Sequence, residues 1–133
     1  MIHEEIVTYE VAKLAKEKGF PQHIGNDAYI VENVYEDEYE VGCCYPIQFI
    51  PDYLPTITAP TQALLQKWLR EEKDIHIEIV ATACGYFWIA DKTNGTAITD
   101  SDILDRGTNE GGCWDEYELA LEDGLKYALE NLA

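Results

Sequence analysis

Apolar residues recur at two different periods along this chain, and the switches between them mark out its elements. In "TYEVAKLAKEKGF", Val11, Leu14 and Ala15 fall at helical spacing. Thr8 can cap the start and Gly19 supplies a left-handed stop, so a helix is predicted over about residues 8 to 18. Residues 27 to 50, "DAYIVENVYEDEYEVGCCYPIQFI", are rich in β-branched and aromatic side chains. They predict two strands with "YEDEYE" near the turn between them. Three prolines in "PDYLPTITAP" predict an irregular, extended connector.

The best-formed stretch is "APTQALLQKWLREEKDIHIEI", residues 59 to 79. Pro60 suits the first turn of a helix, where its missing N–H does no harm. Leu64, Leu65, Trp68 and Leu69 define one buried face, which places Trp68 in the core beside Leu64 and Leu65. Gln62, Gln66, Lys67, Arg70 and Glu71 are left for the remaining surface. "IHIEI" then alternates, with Ile75, Ile77 and Ile79 inward and His76 and Glu78 outward. "GYFWIADKTNGTAIT" predicts a strand, an Asn94–Gly95 turn of hairpin type and a short return strand. "DSDILDRGTNEGG" reads as a polar loop. The last helix is predicted to begin at Asp115 with a D-x-x-E capping arrangement to Glu118, its apolar face being Tyr117, Leu121, Leu125, Ala128 and Leu132.

Helix, two strands, helix, two or three strands, helix is the order of an α+β fold. At 133 residues the expectation is a single domain over residues 1–133. Its sheet would be antiparallel or mixed, of four to five strands, with three helices packed mainly on one face. Apolar residues make up 47% of the chain, enough for a core without metal or disulfide staples.

Charge changes this picture most. The formal net charge is −17, with nine basic side chains against twenty-six acidic ones. Nine bases cannot track a phosphate backbone through that field, so direct nucleic-acid binding is excluded as an expectation, and anionic membrane surfaces are disfavoured for the same reason. No apolar run is long enough to span a membrane. "MIHEEIVTYE" places acids where a signal peptide needs bases. Cys43, Cys44, Cys84 and Cys113 contain no C-x-x-C pair and suit a reducing compartment, so a cytoplasmic location is expected. No pattern in the chain sets an oligomeric state.

Four stretches in order, "EVAKLAKEKGF", "APTQALLQKWLREEKDIHIEI", "GYFWIA" and "DEYELALEDGLKYALENL", resemble a family of small proteins of Bacteroidetes phages and prophages, gut species especially. The most specific piece is "APTQALLQKWLRE", while residues 32 to 40 and 99 to 114 lie outside the likeness. No activity comes with that family, so the resemblance transfers no functional residues. It implies a phage or integrated element acting in a bacterial cytoplasm.

Candidate chemistry is sparse. "GGCWDEYELAL" sets Cys113 just before a predicted helix, where backbone N–H groups could support a thiolate and an oxyanion. Asp115, Glu116 and Glu118 crowd the same end and oppose a thiolate, and His76 would have to act as base from a distant strand. Cys113 with His76, as a cysteine-dependent hydrolase, is therefore the runner-up reading. No metal site or cofactor is predicted. Counting an EF-hand from Asp100 puts Asp105 at the glycine position and Gly111 at the glutamate position. Glycine-rich phosphate loops are missing.

The acids are unevenly spread. Residues 27 to 52 hold seven acids and no Lys or Arg, and residues 93 to 125 hold nine acids against Arg106 alone. The leading expectation is a non-enzymatic accessory protein that binds a basic protein partner through an acidic surface, with nucleic-acid mimicry as one form of that role. Glu36, Asp37, Glu38 and Glu40 are the candidate binding residues. A structural or assembly component is the third reading.

Overall fold

A computed structural model of the protein describes residues 5–22, 28–32, 39–42, 56–92 and 97–133. It divides into two compact units, Met1–Thr61 and Gln62–Ala133.

In the first unit, helix α1 (Tyr9–Glu17) starts where its sequence signals it. The Thr8 hydroxyl accepts from the Val11 N–H at 3.4 Å, and Gly19 follows the last turn at φ 97°. Val11, Ala12 and Ala15 are its buried face, packed against strand β3 (Thr56–Ala59). Strand β1 (Ala28–Glu32) lies between β3 and strand β2 (Tyr39–Gly42), antiparallel to both, with Ile30 opposite Val41 on one side and Ile57 on the other.

Strand β3 corrects the expected irregular connector. "TITA" alternates β-branched residues with no proline inside it, and Pro55 and Pro60 merely bracket it. It is the outer strand of its sheet, the position where flanking prolines are tolerated. The Gln22 side chain ties it further, its Oε1 accepting from the Thr58 N–H at 2.9 Å. Residues 51–55, and the turn expected within "YEDEYE", lie outside the described residues.

In the second unit, helix α2 (Gln62–Glu72) leads through Asp74, in the left-handed region at φ 57°, into strand β4 (Ile75–Thr82). A two-residue turn connects β4 to strand β5 (Gly85–Lys92), and strand β6 (Ala97–Asp100) pairs along the other side of β5. All pairings are antiparallel, in the order β4-β5-β6. The expected Asn94–Gly95 turn lies outside the described residues. A short helix, α3 (Ser101–Leu104), and the long helix α4 (Tyr117–Asn131) complete the unit.

Helix α4 packs on β4 and β5 and touches α2. Its buried stripe is Ala120, Leu121, Gly124, Leu125, Ala128 and Leu129. Of the predicted face, Leu121, Leu125 and Ala128 are buried, while Tyr117 is exposed and Leu132 only half-buried. The helix starts at Tyr117 with Glu116 as its cap residue, so the predicted Asp115 cap is one residue early, and Glu116 makes no side-chain cap bond.

On α2 the stripe is rotated from its predicted phase. Leu65 and Leu69 are buried as expected, but Leu64 and Trp68 are half-buried, with Lys73 Nζ 5.6 Å from the Trp68 ring centre. The place left open is taken by Gln62, whose Nε2 donates to the Glu118 carbonyl at 2.9 Å and Glu122 Oε2 at 2.8 Å. Hydropathy sends glutamine to solvent, yet an amide whose donors are satisfied can be buried at little cost. Gln66 likewise donates to the Ile77 carbonyl at 2.8 Å, covering part of the outer strand β4.

The class is α+β, as the element order predicts. Where one sheet of four to five strands is expected, the described strands form two antiparallel sheets of three. Most pairings join chain neighbours, and α2 intervenes between β3 and β4.

Candidate functional site

The sheet face beneath α4 carries Ile77 and Trp88, and Trp88 is fully buried there. Its indole Nε1 donates to Asp123 Oδ2 at 2.9 Å. Arg106 reaches the same carboxylate with two bonds, Nε to Oδ2 at 2.6 Å and Nη2 to Oδ1 at 2.8 Å. Tyr127 lies one turn further along α4, 5.0 Å from the Trp88 ring and 5.4 Å from the Arg106 guanidinium carbon. The bond from Asp123, set against partial burial, holds the Arg106 guanidinium above its ordinary pKa.

Helix α3 sets this cluster in place. Asp100 caps it by accepting from the Asp102 N–H at 2.8 Å, and Asp105 ends it at φ 52°. Ser101, buried at its first position, accepts from the Trp88 backbone N–H at 2.8 Å. Two residues along β5, Tyr86 exchanges both backbone bonds with Trp114. This side of β5 is therefore covered by β6, then a serine hydroxyl, then a single returning residue. A predicted loop, "DSDILDRGTNEGG", holds that helix because "DSD" is itself a capping sequence.

Asn109 organises the return. Its Oδ1 accepts from the N–H groups of Gly111 at 3.0 Å and Cys113 at 2.9 Å. Its Nδ2 donates to the Cys84 carbonyl at 2.7 Å and Asp115 Oδ1 at 3.2 Å. Gly85, at φ 125°, lets the β4–β5 turn meet this loop, since a Cβ there would strike the Trp114 carbonyl. Cys113 is buried within the loop, four residues before α4 rather than at its first turn.

These positions separate the runner-up pair. Trp114 pairs with Tyr86, which lies opposite Ala81, and His76 is five residues further along β4. At about 3.3 Å per strand residue, Cys113 and His76 are on the order of 15 Å apart. His76 instead lies directly opposite Asp91, whose Oδ1 is buried without a hydrogen-bond partner. Cys84, on the β4–β5 turn, is exposed. Among the described residues, no three His, Cys, Asp or Glu side chains are grouped to hold a metal ion. The acids Glu36, Asp37 and Glu38 lie outside the described residues, and Glu40 pairs with Val31 in the β1–β2 ladder.

The Trp88–Arg106–Asp123–Tyr127 cluster is what sequence reasoning missed. Its one signal is that Arg106 is the sole base in an acidic stretch. Three N–H donors bind the Asp123 carboxylate, two at Oδ2 and one at Oδ1, so its charge is committed to Trp88 and Arg106. On either side of Arg106 in the chain, Asp102, Asp105, Glu110, Asp115, Glu116 and Glu118 are exposed.

Comparison with protein-family models, curated proteins and solved structures finds no match to the chain. No helix among the described residues is long and apolar enough to cross a membrane.

Proposed function

We propose that this chain is a non-enzymatic accessory protein, of the phage- or prophage-borne kind its motifs resemble, that binds a basic protein partner through acidic surface. The observation that carries this reading is the commitment of Arg106. Between Asp100 and Asp123 it is the sole base, and its guanidinium is locked bidentately onto Asp123. The exposed carboxylates that flank it in the chain therefore keep their field for an outside cation. Acidic residues 36–40 extend the same character in the other half of the chain.

The test is affinity purification of the full chain from a Bacteroidetes host at low and moderate salt, with captured proteins identified and their charge compared. A basic partner retained at low salt and released at moderate salt supports the reading. Neutralising Glu36, Asp37, Glu38 and Glu40 together should then weaken association and flatten its salt dependence. Partners that are acidic, or bound with no response to salt, would overturn it.

A further inference from the structure

We infer that the outer edge of β6, together with α3, is a docking site for an extended, basic segment of a partner protein that carries cationic and apolar side chains by turns on one face. The inference rests on the proposed affinity for a basic protein and adds the place and the conformation. Strand β6 ends the order β4-β5-β6, and no described residue pairs with its outer side. Register fixes its faces: Thr99 lies opposite the buried Ala90, so Ile98, opposite Asp91, points away from the α4-covered side. Ile98 is 80% exposed and Ile103, on α3, is 82% exposed, with Leu104 beside it 41% exposed.

A strand edge that no described residue pairs with, beside two exposed isoleucines, is a combination that folded proteins ordinarily cover or blunt. Asp100, Asp102 and Asp105 flank it, and the next base, Arg106, is occupied by Asp123. That charge selects the occupant. A second copy carries the same net −17 and is repelled, as is nucleic acid, whereas a strand with lysine or arginine on its Ile98-side face meets Asp100, which shares that face two residues on. Its backbone adds to the ladder, and its intervening apolar side chains cover Ile98 and Ile103.

The probe is a synthetic peptide of lysine-threonine-valine-threonine repeats, which sets lysine and valine by turns on one face, titrated at low salt into the isotope-labelled full chain. Signals of residues 97 to 104, including the Ile98 and Ile103 methyl groups, should move, and β6 amides should gain exchange protection. A lysine peptide of equal charge with alternate valines replaced by proline should bind about tenfold more weakly, because proline cannot donate to a ladder. Ile98→Ala with Ile103→Ala should cost roughly tenfold or more, and both side chains are exposed enough to leave the fold intact. Asp100→Asn with Asp102→Asn keeps the α3 cap and should cost roughly three- to tenfold, less as salt rises. Perturbation centred elsewhere would overturn the β6 assignment and leave the basic-partner reading standing. A peptide that binds nowhere at low salt sinks both. If the asparagine variant self-associates and binds the peptide as before, the carboxylates only guard an edge and the proposal fails.

Discussion

Asp123 accepts from a buried indole and a half-exposed guanidinium at once, and the two donors do not depend on it equally. Trp88 is fully buried, so its N–H has no alternative partner when the carboxylate is removed. Arg106 keeps 31% of its side-chain surface and can turn to water. Asp123→Ala should therefore cost about 2–4 kcal/mol, against about 0.5–1 kcal/mol for Arg106→Ala. Urea denaturation of both variants and of their double mutant measures this. Equal losses from the two single changes would show that the ion pair, not the indole bond, is the main contribution. The raised pKa of Arg106 places its own titration outside the working range. A cation favoured in the folded state contributes fully below its unfolded pKa and loses that contribution only as pH rises through the higher folded value. The arginine's titration thus adds no slope to stability at acidic or neutral pH.

At the scale of elements, Gly124 in the middle of α4 records how closely that helix approaches the sheet. Glycine there sacrifices about 1 kcal/mol of helix propensity relative to alanine. A Cβ at this position would lie 3.0 Å from Trp88 Cγ and 3.2 Å from Ile77 Cγ2. Trp88 is held by its bond to Asp123 and Ile77 by its strand, so neither can give way freely. Gly124→Ala should therefore destabilise by about 1–2 kcal/mol net, the overpacking outweighing the propensity gain. A thermal melt that rises instead would mean the helix can lift from the sheet without penalty. Elements with an unbroken period were legible in the sequence: α1, α2, the isoleucine strand β4 and the leucine stripe of α4. What could not be read depends on partners distant in the chain. Gln62 is buried because α4 supplies its acceptors, and β3 is a strand because β1 lies beside it. The start of α4 moved past Asp115 while Trp114 is engaged by Tyr86. The Arg106–Asp123 pair joins residues with no shared local motif, so only the isolation of Arg106 among acids hinted at it.

For the molecule as a whole, like charge is spread along the chain rather than confined to one segment. Residues 62 to 133 hold fifteen acidic and six basic side chains, and residues 1 to 61 hold eleven and three. Each unit therefore repels itself, and folding concentrates that repulsion relative to the extended chain. Added salt should raise the melting temperature, because screening acts on many exposed carboxylates while the partly buried Arg106–Asp123 pair loses comparatively little. Sodium chloride is the appropriate salt, since sulfate would stabilise burial by exclusion from the surface as well. Neutralising Glu36, Asp37, Glu38 and Glu40 separates this effect from any general action of the salt. Self-repulsion grows with the square of net charge, and residues 1 to 61 carry eleven acids against three bases, so removing four acids lowers that unit's own repulsion by about three-quarters in a uniform-charge estimate. At low salt the variant should melt on the order of 5 °C higher, corresponding to roughly 1–2 kcal/mol for a domain of this size. Its salt response should be shallower, and the two melting curves should converge as ionic strength rises. A constant gap between them at every salt concentration would assign the gain to local structure at those four positions, and charge repulsion would not be what limits the stability of this fold.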